Sequence, residues 1–410
     1  MSEASPPPTT TVSITTEKSD LGTNTSTTVQ DDVLLAKEKF IETACRQHDV
    51  PTIIKLATSQ GGLLRDELRR KAWPILIGSD NEDPPEGLDP SDHWQKLPSH
   101  RDEEQVHLDV DRAFVYYPSE SEKQIQARKS MLAEVIVRVL RQHQMLCYFQ
   151  GYHDIVQVLL LVLGEALAGP AAARISLLRI RDYMLPSLAP SVRHLQIIPA
   201  LLASADPELA QRLAHTRPFF ALAATLTLYA HDMQEYSDIS RLYDFLLAHE
   251  PVMAIYMFTA IVRSRREELF DVPLEEPEML HFVLSKLPQP LDLEGLIHSA
   301  LELFNRYPPE ALSKGVWSRI SPNSVLKTAR HSTVKQSLRQ GEEFFSKQAD
   351  ELRRGEFRKS VMHAAWKYRG PASALTVALM VGFGSVWLNR SGHDRMAWGF
   401  VSRLLGRSSA

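Results

Sequence analysis

The chain has 410 residues, 44% hydrophobic and 23% charged, with a formal net charge of −4. That is globular composition with apolar material for a large core, and its near-balanced charge gives no support for nucleic acid as a partner. Two cysteines in unrelated contexts, Cys45 and Cys147, exclude a disulfide framework and a zinc ribbon and fit a reducing compartment.

Residues 1–32 are rich in Ser, Thr, Pro and Asp and have no apolar core of a secretory signal; they read as an unstructured leader. From Val33, "VLLAKEKFIETACRQ" places apolar residues three and four apart and predicts a helix. "GGLLRDELRRKAWPILIG" reads as a helix with glycine at each end. Further helical stretches are 127–147, 151–168, 219–231, 238–249 and 251–263, dominated by Leu, Ala and Met. Neither Asn-Gly nor Asp-Gly occurs, and β-branched alternation is scarce. Residues 33–310 therefore read as one all-α, multi-helix domain without a fixed-period repeat.

Residues 311–370 are polar and basic and suit an exposed helical linker. Residues 371–389, "PASALTVALMVGFGSVWLN", contain no Asp, Glu, Lys, Arg or His. At about 1.5 Å per residue the stretch is about 28 Å long as a helix, near the thickness of a bilayer's hydrocarbon core. Trp366, Tyr368 and Trp387 sit near its ends, and Arg353, Arg354, Arg358, Lys359, Lys367 and Arg369 precede it. A transmembrane helix is expected here, with the large domain in the cytosol and residues 390–410 as a short tail. The tail sequence "MAWGFVSRLLGR" also suits an amphipathic surface helix.

Three short patterns lie in order within the domain. Arg69 and Trp73 form R-x-x-x-W; Val106, Asp109 and Arg112 form V-x-x-D-x-x-R; Tyr148, Gln150 and Gly151 form Y-x-Q-G. Singly, each has a structural meaning: a packing contact on one helix face, an ion pair, a helix end. In this order and at these separations they resemble the TBC domain, the all-helical module of GTPase-activating proteins for Rab GTPases. The resemblance covers roughly residues 60–310. It includes "SRLYDFLLAHEPVMAIYMFTAIV", where Arg241, Tyr243 and Asp244 match the domain's later arginine–x–aromatic–Asp motif.

The resemblance implies that Arg112 is an arginine finger and Gln150 a glutamine finger, both supplied in trans to a Rab. GTP and Mg²⁺ would belong to that partner, with no cofactor of the chain's own. The longer stretch "YFQGYHDIVQVLLLVLGEALA", with the C-terminal apolar segment, is similar to the membrane-anchored branch of the endoplasmic reticulum and early secretory traffic. A guanidinium carries fixed charge and forks onto phosphate oxygens. A carboxamide both accepts from a water and donates to a phosphoryl oxygen. Among the neighbours, Asp109 is expected to restrict the Arg112 rotamer, Tyr148 to pack beneath Gln150, and Gly151 to give backbone room. Arg69 and Trp73 are expected to be structural.

Some positions depart from the family pattern: Val106 for Ile, Asp111 beside the finger, Ala113 for a hydroxyl residue, and Tyr243 for Trp. Asp111 and Ala113 leave a second reading open, a catalytically weak membrane-anchored Rab-binding tether. His153–Asp154 could ligate a metal only with partners from other helices, and a satisfied buried histidine is the commoner meaning. Neither a G-x-x-x-x-G-K-[ST] loop nor a G-x-S-x-G elbow occurs.

Overall fold

In the computed structural model, residues 23–80, 94–273, 276–330 and 334–391 are described. Every regular element among them is helical, and no strand occurs there. Helix α1 runs Thr23–Arg46, so it begins inside the expected leader; residues 1–22 lie outside the described ones. Extending an established helix adds a hydrogen bond for each residue fixed, which carries it beyond the apolar periodic stretch. Helix α2 (Val50–Thr58) is capped by Asp49, which accepts from the Thr52 N–H at 3.2 Å.

Helix α3 (Asp66–Ile77) has Asp66 and Glu67 in its first turn, where the macrodipole favours anions. It stops at Gly78, whose φ of 79° is left-handed. The short α4 spans Glu103–Val110, and α5 spans Glu122–Gln142 behind a Ser121–Gln124 capping box. Where one helix is expected over 151–168 there are two, α6 (Tyr152–Leu163) and α7 (Glu165–Leu178). Gly164 divides them with a φ of 76°, a turn that a side chain would strain. Helix α6 packs on α3, α5 and α7 and is buried along most of its length.

Two further buried helices, Tyr236–Ala248 and Met253–Ser264, follow the expected segments closely, and the second packs on the helix Leu293–Arg306. The helix expected over 219–231 is cut short. A 3₁₀ turn (Pro218–Ala221) leads into Leu222–Leu226, and then Leu228 and Tyr229 take φ of 48° and 68°. The buried Tyr229 hydroxyl donates to the Ala254 carbonyl at 2.7 Å, so a long-range anchor overrides local helical preference.

Packing does not end at residue 310. The buried Asp182 carboxylate pairs with His194 at 3.0 Å and accepts the Val325 N–H at 3.0 Å. Arg174 donates to the Gln336 carbonyl at 2.8 Å, and His143 meets Glu342 at 2.8 Å. The expected exposed linker therefore begins later than predicted, and the chain divides between Ser346 and Lys347. Basic composition did not reveal this, because the buried apolar residues, such as Ile320, Val325, Leu326 and Phe345, are scattered among polar ones and other contacts run through main-chain groups. The last helix is Leu338–Ser391, with Phe357, Met362 and Trp366 exposed along it. The side chains of the expected span, 371–389, lie outside the described residues. Among the described residues no helix is long and apolar enough to cross a membrane.

His249 ends the helix Tyr236–Ala248, with its Nε2 2.8 Å from the Thr58 hydroxyl. Burial, and then the nearby Arg179, hold its pKa at about 4 instead of 6.5. The unfolded chain therefore binds a proton that the folded one refuses between those values, and stability is lost as pH falls from 6.5 toward 4. Denaturant titrations at pH 7 and pH 5 should show a loss of about 2 kcal/mol in the wild type that His249→Gln does not share.

Candidate functional site

The residues of the matched motifs fall into two groups, one buried and one exposed. The buried group centres on Asp244, which has no solvent exposure. Its carboxylate accepts the Trp73 indole N–H at 2.8 Å, the Leu63 amide at 2.9 Å and Arg69 Nε at 3.1 Å. Arg69 extends a second arm to Asp66 at 2.9 Å. Burial pushes the Asp244 carboxyl above its ordinary value, and the Arg69 guanidinium is the largest effect opposing it. Gly62 passes so close that an added Cβ would lie 2.5 Å from Asp244 Oδ2. One turn earlier on the same helix, Arg241 forks onto Glu294 at 2.7 and 2.9 Å and donates to the Ala57, Thr58 and Ser59 carbonyls. Trp73 packs on Tyr243 with ring centroids 5.9 Å apart.

The exposed group begins where α4 ends. Val106 and Val110 are buried, and the chain turns out of the helix with the Arg112 N–H on the Asp109 carbonyl at 3.0 Å. Ala113 and Phe114 turn inward and are buried, Phe114 with a φ of 62°. The Phe114 N–H donates to Gln157 Oε1 of α6 at 2.9 Å. On the other side of Arg112, Lys129 of α5 donates to the Asp111 carbonyl. The main chain is thus held on both sides of an exposed arginine. Among the described residues the Arg112 guanidinium makes no hydrogen bond or ion pair.

Gln150 is also exposed, one residue before Gly151, the N-cap of α6. Gly151 has a φ of 99°, and an added Cβ would meet Thr227 Cγ2 at 2.6 Å. Only glycine fits both the conformation and the gap. Gln150 likewise makes no side-chain hydrogen bond among the described residues. Arg112 and Gln150 line one open cleft of about 260 Å³, with Asp109, His153, Asp154 and His231.

Asp109 does not reach Arg112 with its side chain. It is buried and accepts from the Tyr148 hydroxyl and from Gln105, both at 2.9 Å. The expected rotamer clamp is therefore absent among the described residues, because the carboxylate is taken up on the inner side of the helix. Tyr148 braces the approach to Gln150 instead: its N–H donates to Asp102 at 2.9 Å and its ring meets Tyr152 edge-on at 6.0 Å. Burial and the Asp109 charge push its hydroxyl far up, which keeps it a donor.

From Tyr148 a chain of contacts continues to His153 at 3.4 Å, to Asp154 at 3.3 Å, and to His231 at 3.1 Å. Burial holds His153 below its ordinary value, against Asp154 and Asp109, whereas the hydrogen bond to Asp154 raises His231. Among the described residues no three or more ligating side chains could hold a metal ion. Gln157, Lys129 and His231 are absent from the short motifs. Gln157 did carry a signal: it is the one polar side chain of α6 beyond its first turn.

The model of the Rab-GTPase-TBC domain family matches residues 66–270, which contain Arg69, Trp73, Arg112, Gln150 and Asp244. Among curated relatives, TBC1 domain family member 20 of Bos taurus is 36% identical over 269 residues, 65% of this chain and 66% of that protein. Its Homo sapiens counterpart is 35% identical over the same shares. The chain thus spans just under two thirds of the length of these relatives. GTPase-activating protein gyp10 of Schizosaccharomyces pombe is 31% identical over 291 residues, 70% of this chain and 77% of that protein. Among solved structures, the Chlamydomonas flagellar RabGAP TBC domain superposes with a TM-score of 0.47 at 15% identity, over 58% of this chain and 81% of that one.

Removing the central anion leaves Arg69 buried with only Asp66. Asp244→Ala should destabilise the domain by roughly 3–5 kcal/mol, the usual consequence of an uncompensated buried charge. Equilibrium denaturation should register it as a lower midpoint with an unchanged slope.

Proposed function

The chain belongs to the Rab-GTPase-TBC domain family, and on that premise we propose that it accelerates GTP hydrolysis on a Rab-family GTPase by inserting Arg112 and Gln150 into the partner's nucleotide site. One observation carries the reading. An arginine and a glutamine from elements far apart in sequence stand exposed in one cleft, without internal side-chain partners among the described residues.

Phosphoryl transfer from GTP passes through a loose transition state, with charge spread over the γ-phosphoryl oxygens and an attacking water held in line. The Arg112 guanidinium supplies fixed positive charge to those oxygens. The Gln150 carboxamide accepts from the water and donates to the phosphoryl group without adding negative charge. GTP and Mg²⁺ come with the partner, so the complete centre forms only in the complex. Because both main-chain segments are already tied down, little ordering remains to be done when the partner docks. Asp111, exposed beside Arg112, adds a negative charge next to the finger, which a basic group on the GTPase would match.

The uncharged segment 371–389 and the basic residues before it support a C-terminal membrane anchor. The likeness to the branch of the endoplasmic reticulum supports an early secretory membrane as its place. A tag fused after Ala410 should then be protected from protease in intact microsomes and digested once they are permeabilised; digestion in intact vesicles would remove the span.

Single-turnover GTP hydrolysis across a panel of Rab GTPases tests the activity. On the responsive Rab, Arg112→Ala should lower the accelerated rate by about 10³-fold or more, and Gln150→Ala by about 10²-fold. Unchanged rates for both variants would refute the mechanism. Binding without acceleration on every Rab would identify a tether instead.

A further inference from the structure

Helix α6 is apolar beyond its first turn except at Gln157, and that side chain is buried. A buried carboxamide persists only where its polar atoms are bonded. Here Oε1 receives the Phe114 N–H at 2.9 Å, across 43 residues of sequence. Phe114 lies two residues past Arg112, and its φ of 62° is a conformation that a bulky L residue keeps only when its surroundings impose it. The bond therefore fixes the strained residue that turns the chain away from the arginine. The same α6 is N-capped by Gly151, beside Gln150. One side chain thus ties the loop bearing the arginine to the helix that starts just after the glutamine.

We infer that Gln157 is a positioning residue for Arg112: its carboxamide sets where the guanidinium leaves the surface relative to Gln150. The inference rests on the reading of Arg112 as the group that enters the partner's site. A neutral acceptor suits the place. A carboxylate would also accept the Phe114 N–H, but it would add negative charge to a cleft already lined by Asp109 and Asp154. An apolar residue of equal size would leave the Phe114 N–H unpaired and release the loop. Lys129 holds only the Asp111 side of the loop, so it cannot replace the lost bond.

The test uses the full chain, the responsive Rab of the panel, and the variants Gln157→Met, Arg112→Ala and their combination. Gln157→Met should lower the single-turnover rate at saturation by roughly 10–100-fold, while affinity for the Rab loaded with a non-hydrolysable GTP analogue moves by less than about threefold. In the Arg112→Ala background the same substitution should change nothing further, because its effect runs through the arginine. Wild-type rates for Gln157→Met, or losses that multiply in the double variant, overturn the inference while leaving the finger intact. An Arg112→Ala variant of full activity overturns the finger reading itself. Amide hydrogen exchange of the wild-type chain decides the matter even if Gln157→Met fails to fold. The Phe114 N–H should be protected well above its exposed neighbours Val115 and Tyr116, and exchange as fast as theirs would sink the proposal.

Discussion

The buried carboxylate of Asp244 is the constraint on which the rest of the domain's geometry depends. It sits in the low-dielectric interior, where an unpaired charge is prohibitive and a fully bonded one is strongly directional. Three groups donate to it: the Arg69 guanidinium and the Trp73 indole on α3, and the Leu63 amide in the turn before it. Only one placement of α3 against the helix Tyr236–Ala248 satisfies them together, and Gly62 allows the chain to approach that closely. Arg241 and Glu294 repeat the device one turn away and bring in the end of α2 and the helix Leu293–Arg306. Since α3 also packs on α6, the lock reaches the helix that Gln150 immediately precedes.

The outer surface follows the opposite rule. Tyr148 bonds to both Asp109 and His153 on the inner side of the cleft, and Arg112 and Gln150 are left to the outer side. A charged side chain with no internal partner gains nothing for the fold from its charge, and its conformational freedom is lost only when a partner orders it. The neighbouring main chain bears the opposite cost: Phe114 and Gly151 are both held at positive φ by tertiary contacts. Val115 and Tyr116, just beyond, are exposed apolar side chains, and a docking partner would remove them from water.

The C-terminal boundary illustrates a different balance. The segment after residue 310 is polar enough to read as solvated, yet Asp182, Arg174 and His143 hold it through Val325, Gln336 and Glu342. Apolar side chains spaced along it, among them Ile320, Val325, Leu326 and Phe345, are buried as well, and the main-chain groups of Val325 and Gln336 supply hydrogen-bond partners that composition does not show.

Periodicity and composition by themselves determined the all-helical class, the positions of most of the longer helices, and the three ordered motifs that include Arg112 and Gln150. These are local properties: a 3.6-residue apolar stripe, or a residue type at a fixed spacing, is written in a short stretch of chain. The tertiary structure alone decided that α6 and α7 part at Gly164, that Tyr229 ends a helix early, that Asp109 turns toward Tyr148 and Gln105 rather than Arg112, and that the packed domain continues to Ser346. It also supplied Gln157, whose partner lies 43 residues away. The reason is common to all of these. Each depends on which distant group competes for a hydrogen bond or a volume, and spacing within one stretch of sequence carries no information about that competitor.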